Sequence, residues 1–239
     1  MKSDMIDRLL SFLDASPVNF LAVKNIADML EAGGFRRLDP SMPLGNVQAG
    51  DRFYVTKNHS AIFAFRIGAK TLADAGSRMI CAHSDSPTFK LKNAAEMEGP
   101  VKLNTEVYGG PIMSTWFDRP LTLAGRVIVR GADVMQPQTM LLHIKRPLLQ
   151  ISNLAIHFNR QVNDGVKLSK QKDVLPLLGQ ITSRLEAGNM LMNVIAEELN
   201  KQRPVKTEDI LDFDLYLADT TPACTFGVHN EFISAGRLD

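Results

Sequence analysis

The sequence has few cysteines and no long hydrophobic run. Its two cysteines, Cys81 and Cys224, lie far apart among 239 residues, which excludes a disulfide-stabilised scaffold. No apolar stretch reaches the roughly 18–20 residues that a membrane-spanning helix requires. The N-terminus carries acidic residues early and lacks the continuous apolar core of a secretion signal. We therefore expect a cytoplasmic protein with no membrane partner.

The sequence also lacks an excess of charge of either sign. Lysine and arginine total 27 and aspartate and glutamate total 26, which gives a net charge of +1. A nearly neutral chain has no global field that would attract nucleic acid. Lys167, Lys170 and Lys172 form a loose basic loop, but no aromatic residues are interleaved with them. We expect no nucleic-acid partner.

Two helices and a hairpin are predicted near the N-terminus. Apolar residues recur at helical spacing over residues 4–14 and again over residues 20–30. The glycine pair at 33–34 is typical of a helix end. Two β-like runs, residues 52–56 and 61–67, are separated by four turn-forming residues, which indicates a hairpin.

A short apolar run precedes the first candidate site residues. We predict that residues 79–82 form a buried strand, with Cys81 in the core and His83 at the carboxyl edge. Open α/β sheets bind ligands at that edge. Asp85 follows two residues later, where its carboxylate or backbone can orient one ring nitrogen while the other binds a metal. By itself, this spacing is more typical of a surface pair or a satisfied core pair than of a metal site.

The chain becomes β-rich after residue 93. Short β-like runs at 102–108, 121–130 and 139–144 precede a helix at 189–202 and an alternating strand at 211–217. In that strand Leu211 is expected on the apolar face and Tyr216 on the polar face. The fold class is α/β. The change from a region of mixed helices and strands to a β-rich region predicts a first domain over residues 1–93, an inserted domain over 94–222 and a return to the first domain over 223–239.

Three neighbouring residues leave alternatives open. Trp116 belongs to an aromatic segment that suits either an interface or substrate wall, or a turn that packs it into the inserted domain. Asp118 and Arg119 are expected to form a structural pair. His143 lies within an apolar run and is expected to be structural.

Five motifs occur in a fixed order along nearly the whole chain. They are AHSDSP at 82–87, YGG at 108–110, WFDRPL at 116–121, NLAIH at 153–157 and NEFISAGRLD at 230–239. Together they resemble the N-terminal half of the aspartyl aminopeptidase family, a group of zinc metallo-aminopeptidases. The implied fold is an incomplete peptidase-type α/β/α sandwich with an inserted, β-rich dimerisation domain.

The resemblance implies a role for four residues. His83 matches the histidine ligand of one zinc ion, and Asp85 matches the catalytic-site aspartate that supports this histidine. Asp239 matches the aspartate that bridges both metal ions. His157 matches a histidine of the dimerisation domain that reaches into the partner subunit's active site, where it contacts substrate or stabilises the oxyanion. From the residues alone, His157 is more typical of a core histidine on an apolar strand at 154–156.

The implied reaction removes an N-terminal residue, Asp or Glu, from a peptide with a free N-terminus. Water activated by two zinc ions attacks the peptide bond, and the enzyme is a homo-oligomer built from dimers. The family's glutamate base and further zinc ligands match no residue up to Asp239. We therefore expect this chain alone to bind zinc poorly and to lack activity. Two alternatives remain: a non-catalytic dimerisation or assembly module, and a metal-dependent deacylase on the same scaffold.

Overall fold

The structure is a computed structural model that describes residues 2–97, 101–133, 135–165, 167–179 and 190–238. It divides into two compact units, Met1–Asp85 and Ser86–Asp239, each of which is described separately. The prediction that residues 94–222 form an inserted domain stays a prediction. Across the described ranges, no helix combines the length and the apolar character needed to cross a membrane.

Helices and strands occur in both units. The helices are α1 Lys2–Ala15, α2 Asn19–Ala32, α3 Leu72–Ala75 and α4 Met190–Asn200, with 3-10 turns at Met113–Trp116 and Thr207–Asp209. The strands are β1 Arg36–Arg37, β2 Arg52–Lys57, β3 Ala61–Arg66, β4 Thr88–Met97, β5 Val101–Tyr108, β6 Leu121–Val129, β7 Gln138–His143, β8 Leu177–Gly179, β9 Ile210–Asp219, β10 Cys224–Phe226 and β11 Phe232–Ser234.

The first unit pairs two helices with a small sheet. The helices predicted at 4–14 and 20–30 are confirmed as α1 and α2. The Gly33 amide donates to the Met29 carbonyl at 3.0 Å, and Gly34 has a φ of 80°, a left-handed conformation that suits glycine. Tyr54 of β2 is buried, and its hydroxyl donates to Glu31 of α2.

The predicted hairpin is confirmed as β2 and β3, which pair antiparallel with Arg52 opposite Arg66. Asn58 and His59 in its turn have φ angles of 52° and 58°. Two consecutive left-handed residues match the tight turns that join antiparallel strands. The three-stranded sheet has the order β1-β2-β3, so β3 is an edge strand of that sheet.

The buried strand predicted at residues 79–82 is wrong. This segment has no regular secondary structure; Met79 is 68% exposed and Ile80 99% exposed, and Cys81 is exposed rather than in the core. An extended segment needs a neighbouring strand to satisfy its backbone groups. Within the described parts of the chain no strand pairs with residues 79–82, so their apolar character does not lead to burial.

The second unit is built around a six-stranded sheet with the order β7-β6-β9-β4-β5-β8. All pairings within it are antiparallel. One face packs against α4, whose Leu191, Ile195 and Leu199 are buried in the same cluster as Phe89 and Leu215. The sheet and α4 thus form one continuous core.

Strand β9 differs from its predicted alternation at two positions. Val129 pairs with Ile210 whereas Ile128 pairs with Asp212, so Leu211 is the extra residue of a bulge and is 50% exposed. Tyr216, expected on the polar face, is 7% exposed and packs edge-on against Tyr108 with ring centroids 5.3 Å apart.

Candidate functional site

His83 and Asp85 lie in direct contact in the first unit. The Nδ1 atom of His83 is 3.0 Å from the Asp85 carbonyl oxygen and 3.2 Å from its Oδ1 atom. Both side chains are accessible, with exposed fractions of 66% and 40%. The two-residue spacing therefore brings both acceptors of one aspartate to the same ring nitrogen.

This contact assigns the tautomer of the imidazole. A carbonyl oxygen can only accept a hydrogen bond, so the His83 Nδ1 atom carries the proton and donates. In the neutral ring the lone pair is then on Nε2, so Nε2 is the nitrogen with which this tautomer would bind a metal ion. A metal-binding histidine held through its other nitrogen by a carbonyl or carboxylate is the usual arrangement in zinc proteins. The donor chemistry at His83 thus fits zinc.

The segment that carries His83 is held by a neighbouring residue although it is not a strand. The Ser84 hydroxyl donates to the Ser60 carbonyl at 3.0 Å. Ser60 lies between the two strands of the β2–β3 hairpin. This bond attaches the irregular segment to the small sheet next to the histidine.

The remaining predicted metal ligand, Asp239, lies outside the described residues. The chain just before it is described: the Ser86 hydroxyl donates to the Arg237 carbonyl at 3.0 Å. Among the residues that the structure describes, no three His, Cys, Asp or Glu side chains cluster as a metal site. Zinc usually takes three or four protein ligands, so the described residues supply one ligand that fits zinc, His83.

His157 lies on an exposed loop of the second unit. The core strand that the residues alone favoured at 154–156 is wrong, because this segment is irregular and enters a turn at Ile156. Leu154, Ile156 and Phe158 are 66%, 51% and 81% exposed. The histidine therefore stands among apolar side chains on the surface.

The start of this loop is fixed by Asp118. The Asp118 carboxylate accepts hydrogen bonds from the Asn153 backbone amide and from the Asn153 side-chain amide, both at 3.0 Å. The hydrogen bond from the Asn153 backbone amide has the larger effect and the one from its side-chain amide the smaller; both lower the pKa of Asp118 and so keep its carboxylate ionised. Asp118 has a φ of 56°, a left-handed conformation that aspartate tolerates better than most residues.

The expected pairing of Asp118 with Arg119 is wrong. Arg119 instead pairs with Asp219, with 2.7 Å between Nη1 and Oδ2. Trp116 packs edge-on against Phe89 at 5.3 Å between ring centroids, which favours the packed turn over the exposed wall. Sequence reasoning missed the partners Asn153 and Asp219. They lie 35 and 100 residues away, so no local pattern could have indicated them.

The comparisons with known proteins agree with one another. A family model described as aminopeptidase I zinc metalloprotease (M18) matches residues 12–239. A probable M18 family aminopeptidase 2 from Clostridium acetobutylicum is 46% identical over 235 residues, which are 97% of this chain and 53% of that protein. The chain thus spans about half the length of the curated relatives it matches.

Solved structures show the same fold. The mApe1 structure from Chaetomium thermophilum matches with a TM-score of 0.86 and 28% identity, covering 98% of this chain and 54% of that one. The mApe1 dodecamer from S. cerevisiae matches with a TM-score of 0.77 and 20% identity, covering 96% and 51%. The predicted α/β fold class is confirmed, as is the family resemblance. The chain belongs to the aminopeptidase I zinc metalloprotease family, M18.

Proposed function

We propose that this chain carries the first part of a two-zinc aminopeptidase site. The site removes an N-terminal residue, with a preference for Asp or Glu, from peptides with a free N-terminus. The observation that carries the proposal is the contact of His83 Nδ1 with both the carbonyl and the carboxylate of Asp85. It is the arrangement expected of a zinc ligand and its supporting aspartate, and it occurs in a member of a zinc metalloprotease family.

Each residue of the site has a separate task. His83 would hold one zinc ion through Nε2, Asp85 would fix its ring through Nδ1, and Asp239 would supply a carboxylate shared by the two ions. Zinc, when bound, supplies a Lewis acid and lowers the pKa of its water. His157 acts in a partner's site, where an imidazole N–H can donate to the developing oxyanion. Its exposed position on the surface of the second unit supports this task.

The chain alone is proposed to bind zinc weakly and to be inactive. The described residues supply one side chain that fits zinc, whereas catalytic zinc usually has three protein ligands. The matched relatives are nearly twice as long, and we infer that the remaining ligands and the base belong to the part of them that this chain does not match.

The active form is proposed to be a cytoplasmic homo-oligomer built from dimers. The apolar side chains of Leu154, Ile156 and Phe158 are more than half exposed beside His157, as expected for a surface that a second copy covers. The similar mApe1 of S. cerevisiae is a dodecamer. The same exposed patch favours the second candidate function, an assembly module that lends His157 to an active partner without catalysis of its own.

A chimaera tests the function directly. This chain replaces the 235 matching residues of the C. acetobutylicum relative, and the product is assayed with zinc on Asp-, Glu- and Leu-anilides. We expect faster hydrolysis of the acidic anilides, its loss in the His83→Ala variant and no change in the His59→Asn control, which replaces an exposed histidine of the same unit with a residue that tolerates its left-handed backbone. A folded, zinc-loaded chimaera that cleaves none of them contradicts the peptidase proposal, and a faster Leu-anilide reaction contradicts the acidic preference.

Calorimetric titration of the chain by itself with zinc tests the proposal that the chain alone binds zinc weakly. Two tightly bound zinc ions per chain would overturn the expectation of weak binding. Mixing the His83→Ala chimaera with a His157→Ala chimaera tests a step that both candidate functions share, the supply of His157 to a partner's site. Activity regained on mixing supports a histidine supplied across an interface.

A further inference from the structure

We propose that Asp118 is a positioning residue for His157: its carboxylate anchors the start of the His157 loop, defined here as residues 153–165, and so sets where the imidazole stands. This inference rests on the proposed function for the catalytic importance of His157. The anchoring itself is a property of the second unit alone.

Asp118 makes three hydrogen bonds to the segment 151–153, and two of them reach Asn153 at the start of the loop. Its backbone amide donates to the Ile151 carbonyl at 2.8 Å. Its Oδ1 and Oδ2 atoms accept from the backbone amide and the side-chain amide of Asn153, each at 3.0 Å. Phe117 and Ile151 form an isolated parallel β-bridge directly beside them. The two segments are therefore fixed in register up to Asn153, four residues before the histidine.

The loop beyond this anchor depends on local turns. The Phe158 and Asn159 amides both donate to the Ala155 carbonyl, at 2.8 and 3.2 Å, which closes a turn around His157. The described side chains from Leu154 to Phe158 are all exposed, so core packing does not hold them. The orientation of the turn is consequently set by the backbone at Asn153.

The far end of the long connection is fastened separately. The Ser169 amide donates to Asp173 Oδ2 at 2.7 Å, and Val174 is fully buried with its carbonyl accepting from the Thr105 hydroxyl at 3.2 Å. Val174, where the connection is fastened to the sheet, lies 17 residues after His157 in the sequence, whereas Asn153 lies four residues before it. Asp118 is thus the nearer anchor of the histidine by a wide margin.

The chemistry of Asp118 allows a clean substitution. Asparagine adopts left-handed backbone about as readily as aspartate, so Asp118→Asn keeps the turn. An amide, however, has one acceptor oxygen where the carboxylate has two, and it carries no charge, so its hydrogen bonds to Asn153 are weaker even when the Asn153 side chain flips to accept from the new NH2 group. The variant therefore removes part of the anchor without removing the bridge. Asp133→Asn is the matched control, because Asp133 Oδ1 accepts the Met135 amide at 2.9 Å in a turn that carries no histidine.

Hydrogen exchange on the full chain tests the anchoring without any activity. Asp118→Asn is expected to speed amide exchange over residues 153–158 by about five- to tenfold, to shift the His157 ring resonance, and to leave the β6–β9 amides unchanged. Asp133→Asn changes none of these. Unchanged exchange and an unshifted His157 resonance in Asp118→Asn would overturn the proposal, whatever the enzyme assays show.

A double-mutant cycle in the chimaera tests the positioning of the histidine. Asp118→Asn is expected to lower kcat by about ten- to a hundredfold with little change in KM, as a displaced catalytic group does. In the His157→Ala background the same substitution should have no further effect. An equal loss in both backgrounds would show a merely structural role and refute the positioning role. A chimaera with no activity at all would instead count against the proposed function, and the exchange result would still decide the anchoring.

Discussion

Arg119 and Asp219 are joined by a 2.7 Å ion pair across 100 residues of sequence. The Asp219 side chain is only 5% exposed, whereas that of Arg119 is 46% exposed. A nearly buried carboxylate therefore depends on a partly solvated guanidinium. The same carboxylate accepts the Thr221 amide at 2.8 Å, so it organises the chain where β9 ends.

Removing the cation should destabilise the second unit. Arg119→Met removes the ion-pair partner of the Asp219 carboxylate, which is almost completely buried from solvent. We therefore expect a loss of about 1–3 kcal/mol in the free energy of unfolding. Urea denaturation measures it. Arg130→Met is the control, because its partner Asp209 is 3.7 Å away and both side chains are well exposed; about 0–0.5 kcal/mol is expected there. Equal losses in the two variants would contradict the assigned importance of burial.

Gly125 should tolerate no side chain. A Cβ atom at this position would lie 2.0 Å from the backbone oxygen of Asp214, and neither backbone can move without breaking the β6–β9 pairing. Gly125→Ala is expected to cost more than about 3 kcal/mol or to prevent folding. Gly110→Ala has open space around its Cβ and should stay within about 0.5 kcal/mol of the parent chain. Circular dichroism and thermal melts of both variants decide the point.

His143 should make stability depend on pH. Partial burial on β7, aided by Lys145, lowers its pKa from 6.5 to about 4. Between these values the unfolded chain binds a proton that the folded chain does not, so stability falls as the pH drops from about 6.5 to 4. Because the site is only half-buried, we expect an effect on the order of 1–2 kcal/mol after allowing for solvent screening.

The His143→Leu variant isolates this effect. The stability difference between parent and variant should change across that pH range and be flat above pH 7. His229→Leu, at an exposed histidine, should show no such change. Urea titrations at half-unit pH steps provide the comparison, and parallel pH curves for parent and His143→Leu would rule the effect out.

Ile80 distinguishes the structure from the strand predicted at residues 79–82. The side chain of Ile80 is 99% exposed. The Ile80→Lys substitution should therefore change the free energy of unfolding of this chain by less than about 0.5 kcal/mol. A buried strand residue would lose several times that. Leu123→Ala, at a fully buried position of β6, provides the scale with an expected loss of about 2–5 kcal/mol.

Local patterns in the sequence were sufficient for elements that are stabilised locally. The period of α1 and α2 and the turn residues of the β2–β3 hairpin are local signals, and both predictions hold. Residues 79–82 have the composition of a buried strand, but a strand also requires a neighbour, which composition does not report. Leu211 lost its place in the alternation because a bulge in β6–β9 pairing is a property of two strands together.

The candidate site shows the same division. The contact of His83 with Asp85 spans two residues, and the sequence indicated that Asp85 could orient the ring. The anchor between Asp118 and Asn153 spans 35 residues and depends on how β6 and the following loops fold. Sequence reasoning placed Asp118 with its neighbour Arg119, because adjacent opposite charges are the simplest pair that a sequence offers.

The strand order of the second unit determines when its sheet can form during synthesis. The β4–β5 and β6–β7 hairpins emerge from the ribosome early, yet the strand that joins them, β9, ends at Asp219. Until those late residues leave the ribosomal exit tunnel, the two hairpins lack β9, the strand that pairs with both of them. Nascent chains of this protein should therefore rely on chaperone protection up to that point, and the six-stranded sheet should close in one late step rather than strand by strand.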